Sequence, residues 1–190
     1  MNRFYTKRSL YQLFLVCVFP LHIWTMMMVL RDYGWVAERT NHWDAVSYIS
    51  YTLIYTLIET IAVFLVILLL GLLVLKSWGP DRRVGIAVSI FLIVSSWVIL
   101  GQWFSFSSGA LPAWLFDFLV HSGHALRWIW GLTFLPVFLS VVIPIFGILH
   151  SQKWNQAVIS FFERIMTLSV LYLFLDGMAL LVIVARGLLA

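Results

Sequence analysis

The stretch AVSYISYTLIYTLIETIAVFLVILLLGLLVL, residues 45–75, decides the class of fold. It holds a single formally charged side chain, that of Glu59, among its 31 residues. A helix needs about 20 apolar residues to cross the hydrocarbon core of a bilayer, because each residue advances the helix by about 1.5 Å. The stretch therefore predicts a membrane-spanning helix that is long enough to tilt or to project from the bilayer.

The rest of the chain is almost as apolar. Of the 190 residues, 63% are hydrophobic and 11% are charged, and the mean hydropathy is +0.99. A soluble domain has about a quarter charged residues and just under half apolar ones. The composition therefore excludes a soluble globular domain, a disordered tail and a fibrous repeat, and it predicts an all-α, polytopic integral membrane helix bundle.

Five charge-poor stretches predict five transmembrane helices in a single domain, residues 1–190. We expect these spans at about 9–30, 46–75, 84–104, 128–150 and 157–185. A cluster of serine, glycine and proline at 105–112 ends the third span. The segment that follows, about 113–126, is too short to cross the bilayer. It predicts a short interfacial or re-entrant helix between the third and fourth spans.

The basic residues predict the orientation of the chain. Cytoplasmic loops carry the excess of Lys and Arg in membrane proteins. A cytoplasmic N-terminus places eight of the 12 basic residues on the cytoplasmic side, namely Arg3, Lys7, Arg8, Lys76, Arg82, Arg83, Lys153 and Arg164. We therefore expect the N-terminus in the cytoplasm and the C-terminus outside. The small size and the short loops are typical of a protein of the bacterial inner (plasma) membrane.

Polar side chains inside the predicted spans are few, and each is costly in hydrocarbon. Counted from the cytoplasmic end of its span, Glu59 lies about 24 Å along the helix and Asp176 about 28 Å. His22 lies less far along its span, at about 18–21 Å. We expect these groups to line a polar cavity in the outer half of the membrane, for which the candidates are Glu59, Asp176, Gln102, His22, Tyr55 and Tyr172.

Another polar stripe lies on the predicted short helix. Asp117, His121 and His124 have the spacing i, i+4 and i+7, which places them on one helical face. Carboxylate and imidazole bind divalent metals, so these three are candidate metal ligands. The alternative is that they form the wet face of an interfacial helix. No other cofactor is expected, and haem is disfavoured because His22 and His150 belong to opposite halves of the membrane.

Three functions stay open, because the loops are short and no strong catalytic motif is present. We favour an accessory or scaffold subunit without an autonomous activity, whose partners are the lipid bilayer and other membrane subunits or further copies of itself. The second is a small proton- or cation-coupled transporter that uses Glu59 and Asp176. The third is a membrane-embedded enzyme acting on a lipid-linked substrate at the outer face. Nucleic acid is not an expected partner, because the loops explain the net charge of +4.

Overall fold

The computed structural model describes residues 5–72, 80–106 and 111–189, and their regular secondary structure is entirely helical. The helices are α1 (Lys7–Arg39), α2 (His42–Leu72), α3 (Pro80–Phe106), α4 (Ala113–His121), α5 (Ala125–His150) and α6 (Gln152–Leu189). All except α4 are long and apolar enough to cross a membrane. The structure thus confirms an all-α bundle of five candidate spans, with one short helix between the third and the fourth.

All five long helices begin before their predicted limits, and α1 and α6 extend furthest beyond them. α1 continues past residue 30 to Arg39, and α6 begins at Gln152 instead of near 157. Ser151 explains the early start of α6, because its hydroxyl oxygen accepts a hydrogen bond from the backbone N–H of Trp154 at 3.4 Å, as an N-cap does. The predicted end of the second span at 73–75 and residues 107–110 of the predicted break lie outside the described residues.

The short helix α4 is separate from α5 and ends before the predicted limit at 126. It ends at His121, and Gly123 follows with a φ of +67°. This left-handed backbone favours glycine, because a Cβ atom would clash with its own carbonyl oxygen there. Gly123 therefore allows the chain to turn between the two helices.

Replacing Gly123 by alanine should lower the free energy of unfolding by about 1–2 kcal/mol. The cost arises in the backbone alone, since a Cβ atom at this position has no neighbouring atom within 4 Å. Gly131→Ala is the matched control, because Gly131 is helical and equally open. Equilibrium unfolding in detergent micelles should show the control to be neutral or stabilised. Equal effects of the two substitutions would contradict the turn assignment.

α1 is the central helix of the bundle, and it packs against α2, α3 and α6. α5 packs chiefly against α3 at the periphery, and α4 contacts α5. Lipid is as apolar as a leucine side chain, so membrane helices associate through close packing and polar contacts. The hydrophobic core surrounds the first half of α1 and contains Leu13, Val16, Cys17, Ile67, Val84, Val88 and Phe162.

Two ion pairs mark the two ends of the bundle. Arg8 lies 3.7 Å from Glu163 where α1 begins, and we call this the N-terminal end of the bundle. Arg186 lies 2.8 Å from Asp44, which joins the last turns of α6 to the first turn of α2 at the opposite end. α1 and α6 therefore run in the same direction, and α2 runs against them.

Candidate functional site

A histidine of α1 and an aspartate of α6 form a buried pair. His22 Nε2 lies 3.0 Å from Oδ2 and 3.2 Å from Oδ1 of Asp176. His22 is 0% exposed and Asp176 is 3% exposed. Ionisable groups are this deeply buried only when each has a partner, because loss of hydration is costly. The pair is therefore the principal polar contact between α1 and α6.

The parallel course of α1 and α6 brings the two side chains to one depth. Arg8 and Glu163 are paired at the N-terminal end, and His22 and Asp176 are paired further along the same two helices. Fourteen residues (22 − 8) separate the two partners on α1, and thirteen (176 − 163) separate those on α6. The two helices thus advance together with almost no offset.

Each ring nitrogen of His22 has a hydrogen-bond partner. The Nδ1 atom lies 2.9 Å from the carbonyl oxygen of Val18, which can only accept, so Nδ1 carries a hydrogen and donates it. The Nε2 atom faces both carboxyl oxygens of Asp176. The imidazole of His22 therefore links the backbone of α1 to the carboxyl group of α6.

Aromatic and hydroxyl groups surround the pair. The ring of Tyr172 stacks on His22, with 5.7 Å between centroids and 21° between planes. One turn further along α1, the hydroxyl oxygen of Thr25 lies 2.8 Å from that of Thr56 in α2. Hydroxyl contacts of this kind hold membrane helices together without exposing polar atoms to lipid. The interior at this depth is thus a small polar cluster with satisfied hydrogen bonds.

The sequence placed His22 and Asp176 in the same cavity but did not pair them. The estimated depths differed by about 7–10 Å, because the count for Asp176 began near residue 157. Glu163 on α6 lies level with Arg8 on α1, so the first eleven residues of α6 (152–162) precede this level. A signal was present in the sequence, since His22 is the one histidine well inside a predicted span and a buried acid needs a basic partner.

Glu59 lies at the same depth as His22 but on the outside of the bundle. Thr56 on α2 contacts Thr25 on α1, and these two helices are antiparallel. Glu59 lies three residues after Thr56, and His22 lies three residues before Thr25, so the two side chains lie at one depth. The side chain of Glu59 is exposed, and it makes no hydrogen bond or ion pair with the residues that the structure describes. The expectation that Glu59 and Asp176 face a shared cavity is therefore corrected. Asp176 lies inside the bundle, and Glu59 lies on its outer surface.

The remaining cavity candidates divide in the same way. Tyr55 is 67% exposed on α2, and Gln102 is exposed on α3, so neither contacts the buried pair. Tyr172 alone joins His22 and Asp176. Of the six predicted side chains, the structure thus brings together these three.

A cavity of about 190 Å³ lies elsewhere, near the N-terminal end of the bundle. Its polar lining includes Thr6, Arg8, Ser9 and Gln12, and α3 and α6 complete its wall. These residues precede His22 on α1 by ten to sixteen positions, or about 15–24 Å along the helix. The cavity is therefore at a different level from the polar groups on which the predicted cavity was based.

The predicted metal ligands on the short helix are exposed and do not converge. His121 directs its Nδ1 atom to the backbone carbonyl of Asp117 in its own helix, at 2.8 Å. His124 lies beyond the end of α4 and precedes α5. Across the described ranges, no three His, Cys, Asp or Glu side chains are placed to hold a metal ion. Asp117 and His121 thus lie on the exposed side of α4, and His124 lies outside this helix.

Comparison with known proteins adds no constraint on the function. No protein-family model, no curated protein and no solved structure matches this chain. Its function must therefore be inferred from its own residues.

Proposed function

We propose that this chain is an accessory or scaffold subunit of a larger membrane complex, without a catalytic activity of its own. One observation carries the proposal, namely the carboxyl group of Glu59, which lies on the outer surface of α2 and has no partner among the residues that the structure describes. Ionisable residues within membrane helices almost always face protein or water rather than lipid. A single copy of the chain is thus incomplete, and a second protein surface is needed to cover this group.

The depth of Glu59 gives this observation its weight. The residue is 17 positions from His42 and 13 from Leu72, or about 26 Å and 20 Å from the two ends of α2. α2 is about 46 Å long and the hydrocarbon core is about 30 Å thick, so the ends of the helix lie outside the core, whereas Glu59 lies in the middle part of the helix. Exposure of a charged group to lipid at this depth costs about 2.5–3.5 kcal/mol or more. Contact with a partner removes this cost.

The interior polar groups support a packing role. His22 bonds to Asp176, Thr25 to Thr56, and these contacts connect α1 with α6 and α2. The indole N–H of Trp97 donates to the hydroxyl of Ser140 at 3.0 Å and connects α3 with α5. Side chains that are hydrogen-bonded in this way hold the helices of the bundle together, and the bundle in turn supports the partner.

A small proton-coupled carrier is the second candidate, and the buried contact between the ionisable side chains of His22 and Asp176 favours it. Transport requires that this pair be reached from both sides of the membrane in turn. The pair is almost completely enclosed, so such a cycle needs α1 and α6 to separate.

The third function, an enzyme at the outer face, depends on Asp117, His121 and His124, which do not form a cluster. The charge bias of the loops is the basis on which we propose a cytoplasmic N-terminus, and the small size and short loops are the basis on which we propose a bacterial inner membrane.

Native-state size and flux together test the proposal. We expect the tagged chain, extracted in a mild detergent from the membranes of its natural host, to migrate in a complex with another polypeptide. We expect liposomes containing the purified chain alone to show no proton flux. A stable single chain that carries a flux, lost in Asp176→Asn, would instead establish the carrier.

A further inference from the structure

We propose that the partner contributes a membrane-spanning helix with a lysine or arginine at the depth of Glu59, and that this helix packs on the outer face of α2. The inference rests on the proposed function, and it adds the chemistry of the partner. The surface concerned contains Tyr48, Tyr51, Tyr55 and Glu59, and we call it the tyrosine–glutamate face.

The tyrosine–glutamate face is a continuous surface that the bundle leaves open. Tyr48, Tyr55 and Glu59 follow the spacing i, i+7 and i+11, which aligns them along one side of α2. All four of its side chains are exposed. The buried side of α2 is a different one, and it carries Leu53, Thr56, Thr60 and Ile67. The face is therefore free to receive another helix.

Charge decides which kind of helix fits. A carboxylate in hydrocarbon is stabilised most by an opposite charge in direct contact, because the low dielectric constant strengthens that attraction. The tyrosine rings beside Glu59 add to this preference, since a Lys or Arg side chain interacts favourably with an aromatic face. A basic residue on the facing helix would contact the carboxylate and the ring of Tyr55 at once, since these lie one turn apart.

A second copy of this chain does not supply that charge. A twofold symmetric contact through this face would set Glu59 against the same residue of the other copy, which is repulsive. Among the described residues, the exposed Lys and Arg of α1 and α6 lie well away from this depth. Arg31, for example, is nine residues (31 − 22), or about 14 Å, along α1 from the depth of His22 and Glu59. His22 is at the correct depth, but it is buried and paired with Asp176. The observations thus favour a different protein as the partner.

A designed membrane helix tests this chemistry directly. The probe is a leucine–alanine helix of about 24 residues with one lysine at its centre, and its counterpart has leucine instead. Energy transfer in phosphatidylcholine vesicles would measure its association with the full chain. We expect the lysine probe to bind about tenfold more tightly than the leucine probe, as a polar contact in the membrane provides. We expect Glu59→Gln and Glu59→Leu to abolish the difference.

Matched variants keep the result interpretable. Val98→Gln adds an amide to an exposed position on α3, and it should leave the preference for lysine unchanged. Equal binding of both probes to the wild-type chain would overturn the inference. A preference retained in Glu59→Gln would also overturn it, because a hydrogen bond rather than a charge would then be recognised.

If these failures occur while the native complex still forms, the proposed function survives and only the basic partner is excluded. If wild-type chains form no complex in their own membrane, both proposals fail.

Discussion

Replacing Asp176 alone by leucine should destabilise the bundle by about 3–5 kcal/mol, and replacing His22 alone should do the same. Either change leaves the other polar group buried without its partner, and the group then loses its hydration without compensation. The double replacement His22→Leu/Asp176→Leu should recover most of this loss, because two apolar side chains need no partner. The coupling between the two substitutions should therefore be several kcal/mol.

A double-mutant cycle measures this coupling. Unfolding of the wild type, the two single variants and the double variant would be followed by SDS titration of the protein in mixed micelles. Asp176→Asn serves as the conservative control and should cost less than leucine, because its amide N–H can donate to His22 Nε2 while Nδ1 keeps its bond to Val18. Single-variant losses below about 1 kcal/mol that simply add would show that the pair is not coupled.

Ser169→Leu should destabilise the bundle by about 1–3 kcal/mol, because it adds volume where none is available. Ser169 is 0% exposed and lies on the inner face of α6, together with Phe162, Ile165 and Asp176. Its hydroxyl donates to the carbonyl of Ile165 in the same helix at 3.2 Å, so the small size of the side chain matters more than its polarity. A leucine would push α6 away from its neighbours and would strain the contact of Asp176 with His22.

Two neighbouring substitutions isolate this effect in the same unfolding assay. Ser169→Ala keeps the side chain small and should cost less than about 1 kcal/mol, since only an intrahelical hydrogen bond is lost. Val170→Leu adds a methylene group one residue further along at an exposed position, and it should be neutral. A loss in Val170→Leu as large as that in Ser169→Leu would show that the loss does not come from close packing at Ser169.

The helices themselves could be predicted from the sequence with good accuracy. The stretch at 45–75 contains one charge, and the structure describes it as helix as far as Leu72. The short helix before α5 also followed from the sequence, because the segment between the predicted break and the next span cannot cross a bilayer. The limits of α1 and α6 were less accurate, because hydropathy falls where a helix leaves the hydrocarbon core although the helix itself continues, as α1 does through 31–39.

The two acids inside the membrane show where the sequence was insufficient. Glu59 and Asp176 both end polar stripes in apolar helices and lie at similar depth, and the sequence treated them alike. α2 in fact carries polar residues on two sides, with Thr56 and Thr60 buried and Tyr55 and Glu59 exposed. Periodicity reveals that a face is polar, but it does not reveal which neighbour that face meets.

The sequence by itself determined the class of protein, the number of candidate spans and their approximate limits. The physical reason is that the thickness of the hydrocarbon core imposes a length, and the cost of charge in lipid imposes a composition, on each segment separately. Only the tertiary structure decided the rotation of each helix and its depth against its neighbours. Those depend on contacts between segments distant in the chain, such as His22 with Asp176 and Thr25 with Thr56. These contacts distinguish Asp176, whose carboxyl group is paired inside the bundle, from Glu59, whose carboxyl group we propose contacts a partner protein.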